Sequence, residues 1–377
     1  MPYYHGITVN EITEGVRSVA DVATAVIGLV AIADDADAAT FPLDTPVLLT
    51  DVTGAIGLAG DTGTLAASLK AIADQASPPV IVVRVAEGAD AAGTETNIIG
   101  GVTAGGDRTG LQALLTAESI LGLRPRILGV PGYDTQAVAT ELASIAEKLR
   151  AFAYAAAVGD TVAEATAYRA NFSARELMLL WPDFTDFTGS AVARAMGLRA
   201  KIDTQVGWHK TLSNIGINGV TGISKGVSFS ILASETTDAG LLNDGDITTL
   251  ARLDGYRFWG NRTCSDEPLF AFESAVRTAQ VLQDTIAEGL VWAIDKPITK
   301  GLIRDILETI NAKFRSLKAQ GLIIGAEATF RDTDNSASDI AAGKLVFNYE
   351  YTPCAPAEAI TLNQRITDTF YAELLAA

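Results

Sequence analysis

The sequence predicts a multidomain chain in which an α/β unit is followed by an α+β unit. Three observations carry that expectation. Helix and strand patterns alternate through residues 98–250, the order of a mostly parallel sheet with helices on both faces. After that stretch the order becomes two long helical patterns followed by strand patterns, which marks a different architecture. The first twenty residues resemble neither part and carry a single strand pattern with no hairpin partner beside it.

Gly6-Ile-Thr-Val-Asn-Glu-Ile12 alternates apolar and polar side chains, with Ile7 and Val9 on one face. Fifteen extended residues reach roughly 50 Å, far enough to leave the parent domain. An edge strand of the home sheet fits the same pattern. Val26–Ile32 and Pro46–Leu49 read as strands, Thr62–Ala76 as an amphipathic helix, and the β-branched run Pro79–Ala86 as a strand. Gly88–Asn97 reads as a domain boundary.

The alternation then begins. Helices are expected at Thr109–Leu121, Thr135–Arg150, Val162–Asn171 and Gly189–Ile202, and strands at Arg126–Val130, Phe152–Val158 and Glu176–Trp181. Asn214–Lys225, with three glycines, reads as a loop. Phe270–Ile294 and Thr299–Gln320 carry long helical patterns, the second with Leu302, Ile306, Ile310, Phe314 and Leu317 on one stripe and Gly321 as its stop. Strands are expected at Leu322–Phe330, Lys344–Tyr351 and Glu358–Ile366.

With 377 residues there is room for about two or three domains, each with its own core. A net charge of −17 argues against nucleic acid as a partner and favours solubility of the separate chain. Cys264 and Cys354 do not make a disulfide framework and read as small buried hydrophobes. No secretory signal is visible, and the apolar stretch Val22–Ala33 is too short to span a bilayer, so no membrane insertion is expected. A soluble cytoplasmic product is the simplest reading.

The chemistry of enzymes is sought without success. The two histidines, His5 and His209, have no cysteines or acids at metal-ligand spacing, and no Gly-x-Ser-x-Gly elbow is present. The glycine-rich segment from Gly100 to Gly110 lacks both the phosphate-loop and the dinucleotide pattern. No catalytic, metal or cofactor residues are therefore assigned. The polar positions of Thr299–Gln320 carry Lys300, Arg304, Lys313, Arg315 and Lys318, and from 295 to 318 six basic residues face three acidic ones, against the trend of the chain. That stripe is either a docking face for an acidic partner or a solvated helix face.

The densest cluster of large side chains is Asp254-Gly-Tyr-Arg-Phe-Trp-Gly-Asn-Arg-Thr263, where Tyr256, Phe258 and Trp259 alternate with Arg257 and precede Arg262, in a chain that is 7% aromatic. An aromatic corner of a core would explain it. The segment also closely resembles the "GYR-WGNRT" signature of contractile tail sheath proteins, at the entrance to their C-terminal domain. His5–Val9 is similar to the start of the short sheath proteins of myophages and R-type pyocins. Arg108–Leu115 resembles the entry to their middle domain, Trp292–Asp295 with Thr299-Lys300 a strand–helix junction, and Asn335–Ser338 with Gly343-Lys344 the loop and strand near the C-terminus.

The resemblance implies a sheath subunit stacked in hexameric rings around an inner tail tube, with baseplate and tail terminator proteins as further partners. It implies an outer α/β domain of subtilisin-like fold without a catalytic triad, an inner α+β C-terminal domain on the tube, and extended strand arms at both ends. The expected divisions are 1–20 for an N-terminal arm, 21–97 for an α/β region packing with the inner domain, and 98–253 for the outer domain. Residues 254–357 then form the inner domain and 358–377 a C-terminal arm. Strand exchange between subunits would use Ile7, Val9 and Ile12, then Val346, Phe347 and Tyr349 as acceptor, and Ile360, Leu362 and Ile366. Lys300, Arg304, Lys313, Arg315 and Lys318 would face the tube, and Tyr256, Arg257, Trp259 and Arg262 would form the inter-domain junction. The location implied is a virion tail or bacteriocin particle, assembled in the bacterial host cytoplasm. An α/β hydrolase or nucleotide-dependent enzyme, and another self-assembling shell protein, are the competing readings.

Overall fold

A computed structural model describes residues 19, 22–232 and 237–371. The expected strand Gly6–Ile12, with Ile7, Val9 and Ile12, lies outside the described residues. The chain begins with β1 (Ile27–Ile32), β2 (Val47–Leu49), α1 (Val52–Ile56), α2 (Leu65–Ala73), β3 (Val80–Val85) and α3 (Ala91–Ile99). It continues through a 3-10 turn at Gly110–Thr116, α4 (Ala117–Leu121), β4 (Ile127–Gly129), α5 (Gln136–Leu149), β5 (Phe152–Ala156), α6 (Val162–Arg169) and β6 (Leu177–Leu180). Then come α7 (Ser190–Gln205), β7 (Gly216–Ile217), α8 (Asp238–Asp244), β8 (Ile247–Arg252) and β9 (Tyr256–Trp259). The last part holds α9 (Glu273–Gly289), α10 (Lys300–Ala319), β10 (Ile323–Thr329), α11 (Ala337–Ala341) and β11 (Asn348–Pro353).

One nine-stranded sheet takes in β1 to β9 in the order β2-β3-β1-β4-β5-β6-β8-β9-β7. Its central strands are parallel, and β2, β9 and β7 pair antiparallel at the margins. Strand periodicity divides β1 between two cores. Ile27, Leu29 and Ala31 face the layer of α1, α2 and α7, while Val30 and Ile32 face the layer of α3, α5 and the 3-10 turn. A sheet buried on both faces explains why β1 and β4 read as continuous apolar runs and why β3 is broken only by the buried Arg84, which donates to the Ala33 carbonyl at 2.9 Å.

Several sequence expectations give way here. Gly88–Asn97 is not a linker: Asp90 caps α3 by accepting from the Gly93 amide, and Ile98 is buried. The sheet runs on from β3 and β1 to β4, across the expected 97/98 division. Thr109–Leu121 breaks into a 3-10 turn and a short helix, with Gly110 at φ 55° and its amide bound to the Asp44 carboxylate at 2.8 Å. The glycine-rich loop 214–225 contributes β7, and α8 with β8 arises where no element was expected. The expected helix Phe270–Ile294 is α9 flanked by 3-10 turns at Pro268–Phe270 and Val291–Ala293, so Trp292 to Asp295 includes no strand.

The C-terminal region packs α10 against the two-stranded antiparallel sheet β10–β11 and against α9. Thr299 caps α10 through the Leu302 amide at 3.1 Å, and Leu302, Ile306, Ile310, Phe314 and Leu317 are buried as their spacing required. β11 starts at Asn348, later than expected. The Asn335 side chain takes both backbone groups of Val346, at 2.8 and 2.9 Å, and so keeps Val346 out of the ladder. The expected strand at Glu358–Ile366 is absent as well. Its residues are exposed, and they pair with no strand among the described residues.

Candidate functional site

The chain has two features on which a function can be built: the joint between the sheet and the C-terminal region, and the surfaces that the C-terminal region leaves open. The joint begins at the β8–β9 hairpin, so the expected 253/254 division falls inside the sheet. Asp254 at φ 48° and Gly255 at φ 97° form its turn, as an Asp-Gly pair does. Tyr256 and Phe258 point to one side and meet Phe184 edge-on, at 6.1 and 6.4 Å between ring centroids. Trp259 points to the other side and meets Phe229 at 4.8 Å. Arg257 donates to the Leu253 carbonyl at 2.8 Å and so ties its own hairpin.

Gly260, at φ 137°, then turns the chain off the sheet. Its position leaves no space for a side chain, because an added Cβ would lie 2.8 Å from the Thr248 Cα. Arg262 donates two hydrogen bonds to Glu358, at 2.9 and 2.8 Å, and stacks over Phe272. The first residue of the expected C-terminal arm is thus held by the last residues of the aromatic motif.

The strongest joint lies elsewhere, on α9, and sequence reasoning missed it. Glu273, Arg277, Gln280 and Asp284 fall at i, i+4, i+7 and i+11, one stripe of a helix, and all four are buried. Glu273 accepts from Arg199 of α7 at 3.2 Å, from the Leu212 amide at 3.1 Å and from the Tyr154 hydroxyl. Arg199 also binds Asp203 at 2.7 Å, and Asp203 in turn pairs with Arg277. Two carboxylates thus answer two guanidiniums, and the network closes with balanced charge. Gln280 donates to the Ala151 carbonyl at 2.8 Å. Asp284 collects Arg124 at 3.1 Å, Arg150 and Arg126.

Burial alone would raise the Glu273 carboxyl, but Arg199 and Arg277 outweigh it and hold its pKa below the usual range. Such networks are worth little net stability over an apolar core, yet breaking one partner is costly, so they fix geometry. The signal was present in the sequence. The helical pattern Phe270–Ile294 rests on apolar residues, and the polar residues at i, i+4, i+7 and i+11 beside them carry the signal.

α10 separates the five basic residues. At 3.6 residues per turn, Lys300, Arg304, Arg315 and Lys318 fall within an arc of about 60°, while Lys313 lies about 220° from Lys300. The four are exposed, and Lys313 is half-buried with its ammonium on the Val19 carbonyl at 3.0 Å. Arg315 meets Glu308 at 3.4 Å and Arg304 meets Asp305 at 3.7 Å, both at the surface.

Of the residues assigned to strand exchange, Tyr349 lies in β11 with its ring on the α10 core, and Phe347 packs against the same core just before the strand. Ile360, Leu362 and Ile366 are 76%, 88% and 95% exposed. Apolar side chains exposed to that degree along one segment mark a surface meant to be covered. His209 is half-buried beside a cavity that Trp259 and Glu358 also line, and its Nδ1 has no hydrogen-bond partner. Burial, with Arg199 and Lys210 nearby, lowers its pKa. No group of three metal-ligating side chains occurs among the described residues, and no helix there is long and apolar enough to cross a membrane.

The described residues thus join a two-sided sheet to a small α+β region that ends in a segment exposing Ile360, Leu362 and Ile366. Residues 106–264 match the phage tail sheath protein central domain, 265–367 the phage tail sheath C-terminal domain, and 24–85 the tail sheath protein Gp18 domain III N-terminal region. The chain is 56% identical to the tail sheath protein of Escherichia phage P2, covering 100% of this chain and 98% of that protein. It is 49% identical to the major tail sheath protein of Serratia phage KSP20, over 100% and 98%. The chain belongs to the phage tail sheath family. Its fold matches the sheath of an extracellular contractile injection system (PVC) in the contracted state, with TM-score 0.73 and 17% identity over 98% of this chain and 99% of that one. The contracted helical sheath of the anti-feeding prophage matches with TM-score 0.73 and 16% identity, over 96% and 98%.

Proposed function

We propose that this protein is the structural subunit of a contractile tail sheath, polymerising as stacked, sixfold rings around an inner tail tube. Contraction would drive the tube through a target envelope. The observation that carries the assembly reading is the exposed segment Ala359–Ile366, unpaired among the described residues, which follows the two-stranded β10–β11 sheet in the chain. A two-stranded sheet is marginal by itself, and main-chain pairing with a neighbour's arm stabilises both partners by about 0.5–1.5 kcal/mol per hydrogen bond. In this reading the C-terminal region lies inward on the tube, and the nine-stranded α/β unit, of subtilisin-like design, lies outward. Baseplate and tail terminator proteins would contact the ends of the polymer, and assembly would take place in the host cytoplasm.

The role is structural. Energy for contraction would come from an extended lattice relaxing to a better-packed one, with small gains per subunit summed over many rings. The rigid bolts on α9 suit this, since they let the sheet and the C-terminal region of one subunit move as one body.

The test is truncation. Deleting residues 1–14, or 359–377, should leave a folded monomer by circular dichroism that no longer forms tubes. Normal tubes from both deletions would overturn strand exchange. Persistent monomer from the full-length chain would overturn the sheath reading.

A further inference from the structure

The β10–β11 sheet carries a cross-strand pair that the single subunit does not satisfy. Glu327 and Glu350 stand directly opposite in the register, and both are exposed. Like charges so placed destabilise an antiparallel pair. Arg331 reaches Glu350 only at 3.8 Å at the surface, and no ion pair reaches Glu327 among the described residues. On the opposite face Ala326, Ala328, Tyr349 and Tyr351 rest on the α10 core. β11 has one paired edge, toward β10, and one free edge among the described residues.

The segment Ala359–Ile366 has the complementary pattern. Along an extended strand Ile360, Leu362 and Ile366 share one face, and Thr361, Asn363 and Arg365 share the other. All six are exposed. The segment is anchored at its start, where Arg262 holds Glu358 through two hydrogen bonds.

We propose that residues 359–366 of a second copy of this chain add along the free edge of β11 in one register. Ile360, Leu362 and Ile366 extend the α10 core, and Arg365 lies over the Glu327–Glu350 pair. The inference rests on the strand-exchange reading and adds to it the device that fixes register and face. A slip of one residue would turn the isoleucines to solvent and bring the guanidinium against Tyr349 and Tyr351. The two glutamates then serve as a socket that rejects a misaligned arm and pairs with a correct one.

The experiment uses the full-length protein, with tubes measured by pelleting and by negative-stain microscopy. R365E should lower the pelleted fraction at least tenfold, and R365K should assemble within twofold of the parent. The double variant E327K/E350K should also fail, and combining it with R365E should restore assembly to within threefold. Circular dichroism of each monomer checks folding. Normal assembly of R365E, or failure of the triple variant despite a folded monomer, overturns the register. Deletion of 359–377 separates the two ideas: tubes from the deletion overturn strand exchange itself. Loss of tubes on deletion, together with a silent R365E, overturns only the register.

Discussion

The Glu273 carboxylate on α9 accepts a hydrogen bond at 3.2 Å from the Arg199 guanidinium on α7, and neither side chain is exposed to solvent. This pair joins the layer beneath the nine-stranded sheet to the first helix of the C-terminal region. Through Asp203 it is continuous with Arg277, one turn along α9. Truncating one partner strands a buried charge. E273A or R199A should lower the unfolding free energy of the monomer by about 3–5 kcal/mol in a urea titration. A loss under about 1 kcal/mol would mean that the two regions do not depend on the pair.

Asp134, between β4 and α5, titrates close to neutral pH. Burial, with the Asp183 carboxylate adding to it, pushes its pKa up to about 8, and its Oδ1 has no hydrogen-bond partner. A folded pKa above the unfolded one means the folded state holds the extra proton. Its contribution is full below the ordinary carboxyl value of 3.8 and is lost as pH rises through about 8. The slope in that window is about 1.4 kcal/mol per pH unit at most. D134N should flatten monomer stability between those limits, and an unchanged pH profile would refute the assignment. Glu273 acts in the opposite sense. Its depressed pKa gives stability that is present above 4.5 and is lost as pH falls through the folded value.

Arg262 holds the root of the C-terminal arm. Both it and Glu358 are partly exposed, so R262A should cost under about 1 kcal/mol of stability. Its effect should fall on the arm instead. Limited proteolysis of the monomer should cut after Arg365 several times faster in R262A than in the parent. Equal cleavage rates would mean that the pair does not restrain the arm.

The exposed arc of α10 tests the proposed tube contact. Reversing Arg304, Arg315 and Lys318 to Glu should weaken co-sedimentation with tube protein at low salt, with the difference shrinking as salt rises. K313A should leave tube binding unchanged, because that ammonium is turned to the Val19 carbonyl. Undiminished binding by the triple reversal would assign the arc to solvent.

Periodicity made most of the fold legible. β1, β3, β5, α5, α7 and α10 lie where their patterns put them, because each buries a face that its spacing announces. Gly88–Asn97 misled, because glycine and aspartate mark both linkers and helix caps, and only the burial of Thr94 and Ile98 decides between them. The alternation at Glu358–Ile366 predicts a strand, but a strand needs a pairing partner and none lies beside it among the described residues. On α9 a charged stripe reads as solvated until the sheet that covers it is known. The basic residues of α10 are close in sequence, but helical angle sets Lys313 apart from the other four.

The central claim is that this chain assembles by itself into a sheath. Negative-stain microscopy of the purified full-length protein tests it most directly. Hollow tubes with regular cross-striations, absent from the 359–377 deletion, are the result predicted. Closed shells, or a monomer that persists at every concentration, would contradict it.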